Sequence, residues 1–188
     1  MNCSSLDNIV LPGKITELKS STFEGCSSLN NIILPSKLVS IGMNVFSGCT
    51  SLTEINIPDQ VESIGWYAFS ECSSLKSVDI PASVKTIDKE NPFQWCYALE
   101  TINVDAQNEW YYSQDGVLFE KATKSLMIYP VGKTDTVYNV PEGTLEIGNG
   151  AFWGCSALKD INLPSTLQTI KIHAFYDCSN LTSIDIPE

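Results

Sequence analysis

The cysteines of this chain recur at a nearly constant interval. They stand at positions 3, 26, 49, 72, 96, 155 and 178, so the successive spacings are 23, 23, 23, 24, 59 and 23 residues. The long spacing of 59 is one interval of 23 plus 36 further residues. Each cysteine from position 26 onward follows a phenylalanine by three residues and precedes a leucine by three. A period of this length indicates supersecondary units that stack on one another.

The repeat divides the chain into one partial unit, six full units and one irregular insertion. The fourth unit contains one extra residue before Phe93. A unit of 23 residues cannot bury its apolar face alone, so neighbouring units must stack to form a core. We therefore predict a single solenoid domain over residues 1–188, mainly β with short helical turns. Its parts are the partial unit 3–12, the units 13–35, 36–58, 59–81 and 82–105, the insertion 106–141, and the units 142–164 and 165–187.

The third unit shows how one coil is built. Val78 and Ile80 alternate with Asp79 and are followed by Pro81, which is the pattern of a strand with one buried face that ends at a proline. The stretch 68–72 can form one irregular or helical turn. Stacked coils of this kind pair as parallel strands about 4.8 Å apart.

The repeated cysteines and phenylalanines are predicted to form columns in the core. Residues that recur every 23 positions lie above one another, and cysteine is often buried as a small apolar side chain. Disulfides between neighbouring coils, a metal site and a catalytic thiol are the alternatives, but the chain has no CxxC motif and no histidine at ligand spacing. The predicted core residues are Cys26, Cys49, Cys72, Cys96, Cys155, Cys178, Phe46, Phe69, Phe152 and Phe175.

The insertion has strand and turn signals of its own. Asp115 and Gly116 form a turn signal, and the strand-like runs VLFEK and SLMIYP are joined by the short polar link ATK. The later run TVYNVP ends in proline as the regular units do. We expect a β-hairpin and a return strand that continue the stack.

Composition excludes several classes of function. The formal charge is −11, from 22 acidic and 11 basic residues, which disfavours nucleic acid and anionic membrane surfaces as partners. No apolar run approaches the roughly 18–20 residues that span a bilayer, so no membrane insertion is expected. The N-terminal MNCSSLDNIV lacks the features of a signal peptide. No cofactor or metal motif is present, and His173, the single histidine, occupies a variable position that does not suggest catalysis.

The repeats resemble the BspA-type leucine-rich repeats. Residues 64–69 (IGWYAF) and 72–75 (CSSL) reproduce the family pattern, and the insertion resembles a recurrent element of such proteins through DGVLF and LMIYP. The resemblance implies a right-handed leucine-rich-repeat solenoid. It also implies a cell-surface or secreted protein of a host-associated microbe that adheres to proteins, cells or glycans. It brings no catalytic residues with it.

Two sets of residues are candidates for ligand binding. The first is a polar column between the inward strand positions, and it could equally serve solubility alone. The second is a group of Trp and Tyr residues at variable positions, which could bind a ligand or pack over the neighbouring coil. Trp110, Tyr111 and Tyr112 at the start of the insertion are further aromatic residues of this kind. The candidate residues are Asn56, Asp79, Asn103, Asn162 and Asp185 in the column, and Trp66, Tyr67, Trp95, Trp153 and Tyr176 among the aromatics.

Three functional hypotheses follow. The first is a non-enzymatic adhesion or protein-interaction module that binds an extracellular protein or glycan. The second is a carbohydrate-binding module that uses the exposed Trp and Tyr residues, and the third and most remote is a hydrolase with a site near the insertion. The chain starts within a unit and stops after a strand at 187–188, so we expect it to be a fragment of a longer array or to cover its ends by self-association.

Overall fold

A computed structural model of the chain describes residues 3–186 as short strands joined by turns. The strands, in chain order, are β1 (Glu17–Leu18), β2 (Ser40–Ile41), β3 (Ser63–Ile64), β4 (Ser77–Ile80), β5 (Thr86–Ile87), β6 (Thr101–Val104), β7 (Tyr111–Gln114), β8 (Val117–Glu120), β9 (Ser125–Ile128), β10 (Val137–Asn139), β11 (Glu146–Ile147), β12 (Asp160–Asn162), β13 (Thr169–Ile170) and β14 (Ser183–Asp185). They wind into a solenoid, which confirms the predicted fold class. The last two residues of the chain, where the final unit was predicted to end, lie outside the described part.

Each coil contributes strand segments to two faces of the solenoid. On one face β1, β2, β3 and β5 pair in parallel, with Ser40 opposite Ser63 and Ser63 opposite Thr86. On the other face β4 and β6 pair in parallel, and there Ser77 lies opposite Thr101. The offset is 23 residues in the first case and 24 in the second. The extra residue of the fourth unit therefore lies between the two strands of that unit.

The predicted helical turns are turns without a helix. Within residues 3–186 no segment is helical, and the stretch around Phe69 shows why. Tyr67 and Glu71 have φ angles of 53° and 59°, and residues in the left-handed region interrupt a right-handed helix. The Phe69 N–H donates to the carbonyl of Pro92 in the next coil at 2.8 Å, so this hydrogen bond joins two coils. The backbone satisfies its polar groups by stacking, and this requirement overrides the local tendency to form a helix.

The insertion contains the predicted hairpin. The predicted hairpin of VLFEK and SLMIYP is formed by β8 and β9, which pair antiparallel, and β7 pairs antiparallel with β8 around the Asp115–Gly116 turn. The predicted return strand is β10. β9 then pairs in parallel with β11, and β10 pairs in parallel with β12, so the chain resumes the stack after the insertion. The strands of this sheet lie in the order β13-β11-β9-β8-β7, so the insertion strands β7, β8 and β9 all lie on one side of β11.

Aromatic rings form two ladders in the core. Phe23, Phe46, Phe69 and Phe93 stack with centroid separations of 5.6, 5.3 and 5.5 Å and interplanar angles of 12–13°. Beyond the insertion, Phe152 stacks on Phe175 at 5.5 Å and lies 5.3 Å from Tyr129, which takes the phenylalanine position of the insertion coil. Stacking of identical residues is the direct result of the constant period.

The cysteine thiols link successive coils. Cys49, Cys72 and Cys96 each direct Sγ to the carbonyl of the phenylalanine in the preceding coil, at 3.3, 3.2 and 3.0 Å. Cys178 makes the same contact to Phe152 at 3.0 Å, and Cys155 a longer one to Tyr129 at 3.8 Å. All seven cysteines are unpaired thiols.

Two of the predicted core residues are only half-buried. Phe46, Phe69, Phe152 and the cysteines from Cys26 to Cys155 are all at most 2% exposed. Phe175 and Cys178, in contrast, are half-buried, because within residues 3–186 no coil stacks on the outer side of this last unit. Both residues pack against the core cluster, and their partial exposure shows that the period identifies the column while the neighbours decide burial.

Candidate interaction surface

The predicted polar column lies on the outside of the strands. Its five members are exposed, and three of them form side-chain hydrogen bonds to residues of neighbouring coils. The Asn103 amide donates to Asp79 Oδ1 at 2.8 Å, and the Asn162 amide donates to Asn139 Oδ1 at 2.7 Å. The backbone of Asn56 forms an isolated parallel β-bridge with that of Asp79, and Asp185 pairs with Asn162 between the parallel strands β14 and β12. Because part of its hydrogen-bonding capacity is used within the column, this surface has fewer free groups for a ligand.

Four of the five predicted aromatic residues converge into one cluster. Tyr67 and Trp95 stack with centroids 6.5 Å apart, and Trp95 meets Trp153 edge-on at 6.3 Å. Trp153 continues to Tyr176 at 4.5 Å and to His173 at 5.4 Å. We call these five residues the aromatic surface. Its members come from four units, two on each side of the insertion in the sequence, and Trp95 and Tyr176 remain 37% and 53% exposed.

Trp66 lies outside the aromatic surface. It is 47% exposed and makes no ring contact with another aromatic residue of the described part. Tyr111 and Tyr112 also do not belong to an exposed patch. Tyr111 is buried and its hydroxyl accepts the Ile87 N–H at 2.9 Å, while Tyr112 stacks on Phe119 at 4.9 Å. The tyrosines at the start of the insertion therefore anchor it to the stack.

The aromatic surface forms where the backbone ladder between coils is interrupted. In the regular coils the phenylalanine N–H donates to a backbone carbonyl of the next coil, that of the residue directly before the equivalent phenylalanine. Phe69 donates in this way to Pro92, and Phe152 to Ala174, both at 2.8 Å. The Phe93 N–H instead bonds Asn91 Oδ1 within its own unit at 2.9 Å. The fourth unit is therefore not joined to the insertion at this position, and a groove opens along the edge of the solenoid.

The groove has aromatic walls and polar groups inside. We call it the junction groove, a cavity of about 340 Å³. Glu90 bridges its sides, because Oε2 accepts the Tyr67 hydroxyl and Oε1 accepts the Asn149 amide, each at 3.3 Å. Gln94 also lines the groove and is only 6% exposed. The groove is lined by Tyr67, Glu90, Gln94, Asn149, Trp153 and His173.

The polar residues of the groove were not among the predicted site residues. Glu90 lies in the segment with the extra residue, and Gln94 follows Phe93 directly. Asn149 occupies the variable position that Trp66 holds in the third unit. The departure of the fourth unit from the period was the one signal that could have directed attention to this segment.

The thiols do not form a reactive site. Burial raises the pKa of Cys49 and of Cys96 to about 12, and it raises the pKa of Cys72 and Cys155 well above the ordinary value of 9.0. A thiol with a raised pKa supplies almost no thiolate near neutral pH, and thiolate is the nucleophilic form. Within residues 3–186 no three His, Cys, Asp or Glu side chains are grouped so as to hold a metal ion.

Between residues 3 and 186 the structure has no helix that is long and apolar enough to cross a membrane.

His173 packs beside two rings of the aromatic surface, those of Trp153 and Tyr176, each with its centroid 5.4 Å away. The environment of the one histidine is therefore aromatic.

Comparisons with known proteins agree with the repeat. The family model described as BspA type Leucine rich repeat region matches residues 1–114 and 135–188 in six copies. No curated protein matches the chain. The crystal structure of the pneumococcal vaccine antigen PcpA is 31% identical with a TM-score of 0.80, over 96% of this chain and 51% of that protein.

A second solved structure, of a leucine rich cell surface protein from Faecalibacterium prausnitzii, is 28% identical with a TM-score of 0.81. That match covers 99% of this chain and 56% of the other. A leucine-rich repeat protein from Eubacterium ventriosum, 22% identical with a TM-score of 0.78, supports the fold alone. The chain thus spans about half the length of the first two structures.

Proposed function

The chain belongs to the BspA-type leucine-rich repeat family, and from this premise we propose that it is a non-enzymatic interaction module of a cell-surface or secreted protein. The similar solved structures are named as a leucine rich cell surface protein and as a vaccine antigen. These names support an exposed location. A solenoid whose repeated cysteines, from Cys26 to Cys155, are buried in its core is suited to recognition by its surface.

We place the binding surface on the aromatic surface, and the partner is an extracellular protein. The observation that carries this proposal is the convergence of Tyr67, Trp95, Trp153 and Tyr176 from four units onto one edge. Trp and Tyr are enriched among the residues that dominate binding energy at interfaces. The polar column is the weaker candidate, since Asn103 and Asp79 are bonded to each other.

The test compares two tryptophan variants on a panel of immobilised matrix and cell-surface proteins. Trp153→Ala removes the centre of the aromatic surface and should weaken binding at least tenfold. Trp66→Ala is the control, because Trp66 is an exposed tryptophan that lies outside the cluster. Equal binding by both variants would contradict the placement of the site, and loss of binding only in Asp79→Ala would assign it to the polar column.

A carbohydrate-binding module is the second candidate, because the aromatic rings lie beside amide side chains. Sugars stack on aromatic faces and bond amides, and both are present at the junction groove. A glycan array separates the two candidates. Binding to protein partners that free sugars do not inhibit favours the first, and glycan binding that Trp153→Ala abolishes favours the second. Turnover of a substrate that His173→Ala abolishes would instead support the hydrolase hypothesis.

A further inference from the structure

The junction groove contains a carboxylate with no cation beside it. Glu90 is half-buried, and its oxygens accept hydrogen bonds from two neutral groups, the Tyr67 hydroxyl and the Asn149 amide. Within residues 3–186 no lysine or histidine nitrogen lies within 4.0 Å of this carboxylate. A carboxylate can accept about four hydrogen bonds, so Glu90 keeps acceptor positions for a ligand.

Gln94 provides a second polar group in the groove. The residue is 6% exposed and lines the groove beside Glu90. Its side-chain carbonyl oxygen is a hydrogen-bond acceptor for a donor bound there. Gln94 and Glu90 belong to the same short segment and face the same cavity.

The remaining walls are aromatic. Trp153, Tyr67 and His173 line the groove, and Trp95 closes against Trp153 at 6.3 Å. Aromatic faces attract cations, and a planar guanidinium also stacks on them. A guanidinium group is planar and offers five N–H donors. A site that combines aromatic faces, one carboxylate and one amide carbonyl therefore matches it in shape, charge and hydrogen bonding.

We propose that the junction groove binds an arginine side chain presented by the partner protein. The inference rests on the proposed function, because it names the chemistry that the partner brings to the aromatic surface. In the complex the guanidinium donates to the Glu90 carboxylate and to the Gln94 carbonyl oxygen, and it packs against Trp153. Lysine fits less well, since its ammonium is a compact point charge that does not stack.

The charge of the chain favours this partner over a neutral sugar. The formal charge is −11, and all 11 basic residues are lysines, so the chain holds no guanidinium of its own. The adjoining cavity is lined by Asp88 and Glu120 as well as by Lys89 and Lys171. Lys171 is already paired with Glu146 at 3.0 Å. The surroundings of the groove therefore attract a basic segment.

The test uses two blocked tripeptides, Gly-Arg-Gly and the same peptide with citrulline in place of arginine. Citrulline has nearly the same shape but a neutral urea group. Binding to the intact chain is followed by tryptophan fluorescence. The arginine peptide should bind at least tenfold more tightly than the citrulline peptide, and its binding should weaken as salt is raised.

Two charge variants locate the binding. Glu90→Gln should lower the affinity for the arginine peptide at least tenfold, whereas Glu100→Gln, an exposed carboxylate of the same unit outside the groove, should leave it unchanged. The denaturation midpoint of each variant shows that it is folded. If Glu90→Gln does not fold, the comparison of the two peptides on the unmodified chain decides.

Three results would overturn the inference. They are equal binding of the two peptides, no binding of the arginine peptide at millimolar concentration, and binding of methyl glycosides that Glu90→Gln does not alter. If Trp153→Ala still abolishes binding of a protein partner while the peptides bind equally, the proposed function holds and the arginine site does not.

Discussion

Raising the pH should destabilise this protein through its buried thiols. Cys49, Cys72, Cys96 and Cys155 are at most 2% exposed, and burial keeps each of them protonated in the folded state. In the unfolded chain each thiol ionises around the ordinary pKa of 9.0. Above that pH the unfolded chain therefore binds fewer protons than the folded chain, and stability falls as the pH rises.

The size of the effect follows from the two pKa values. At about pH 10 a thiol with an unfolded-state pKa of 9.0 and a folded-state pKa of about 12 lowers the free energy of unfolding by about 1.4 kcal/mol. If Cys49 and Cys96 act independently, their total is about 3 kcal/mol, which is a large share of the stability of many domains, and burial of Cys72 and Cys155 acts in the same direction. The contribution is fully present below about pH 9 and is lost between pH 9 and the folded-state pKa.

The assay is urea denaturation with a phosphine reductant at several pH values between about 7.5 and 10. Tyr111, Tyr129 and Tyr138 also have raised pKa values through burial and act in the same direction, so a cysteine variant is needed to isolate the thiols. Cys72→Ala should show a smaller loss of stability between neutral pH and about pH 10, whatever its stability at neutral pH, because burial raises the pKa of the Cys72 thiol. Cys3→Ala, at an exposed thiol, is the matched control. An unchanged slope in Cys72→Ala, or a flat profile in the unmodified chain, would refute the assignment of buried, reduced thiols.

Two further substitutions test the stacking and the insertion. Gly65→Ala should destabilise by about 1–3 kcal/mol, because a Cβ at Gly65 would lie 2.8 Å from backbone atoms of the preceding coil, whereas Gly13→Ala meets nothing within 4 Å and should be neutral by thermal denaturation. Asn108→Asp should cost about 3 kcal/mol or more in the same assay, because its amide donates to the carbonyls of Pro81 and Val84 at 3.0 and 2.9 Å; the exposed Asn30→Asp is the control, and equal melting temperatures would contradict this role.

Much of the fold was predictable because it depends on a local period. Residues that recur every 23 positions must stack, so the columns of Phe69 and Cys72 and the alternation of Val78, Asp79 and Ile80 were readable without coordinates. The turns were less predictable. Whether 68–72 forms a helical turn depends on where its N–H groups find acceptors, and the acceptors of Phe69 and Glu71 belong to the next coil.

The candidate site was predictable only in part. Tyr67, Trp95, Trp153 and Tyr176 were identified as unusual residues at variable positions, but nothing in the sequence showed that they touch. Trp66 is also an aromatic residue at a variable position, but it lies outside the aromatic surface. A variable position indicates exposure in general, and the coil geometry decides which exposed residues become neighbours.

The sequence by itself determined the solenoid, its register and the columns of its core, because a constant period places equivalent residues above one another. Only the tertiary structure decided the junction groove. Glu90 and Asn149 meet across 59 residues, a separation that includes the insertion. In the insertion the register departs from the period, with Ser125 opposite Glu146 at an offset of 21 residues. How 36 irregular residues are folded into the stack sets which side chains face each other there, and a broken period carries no information on that packing.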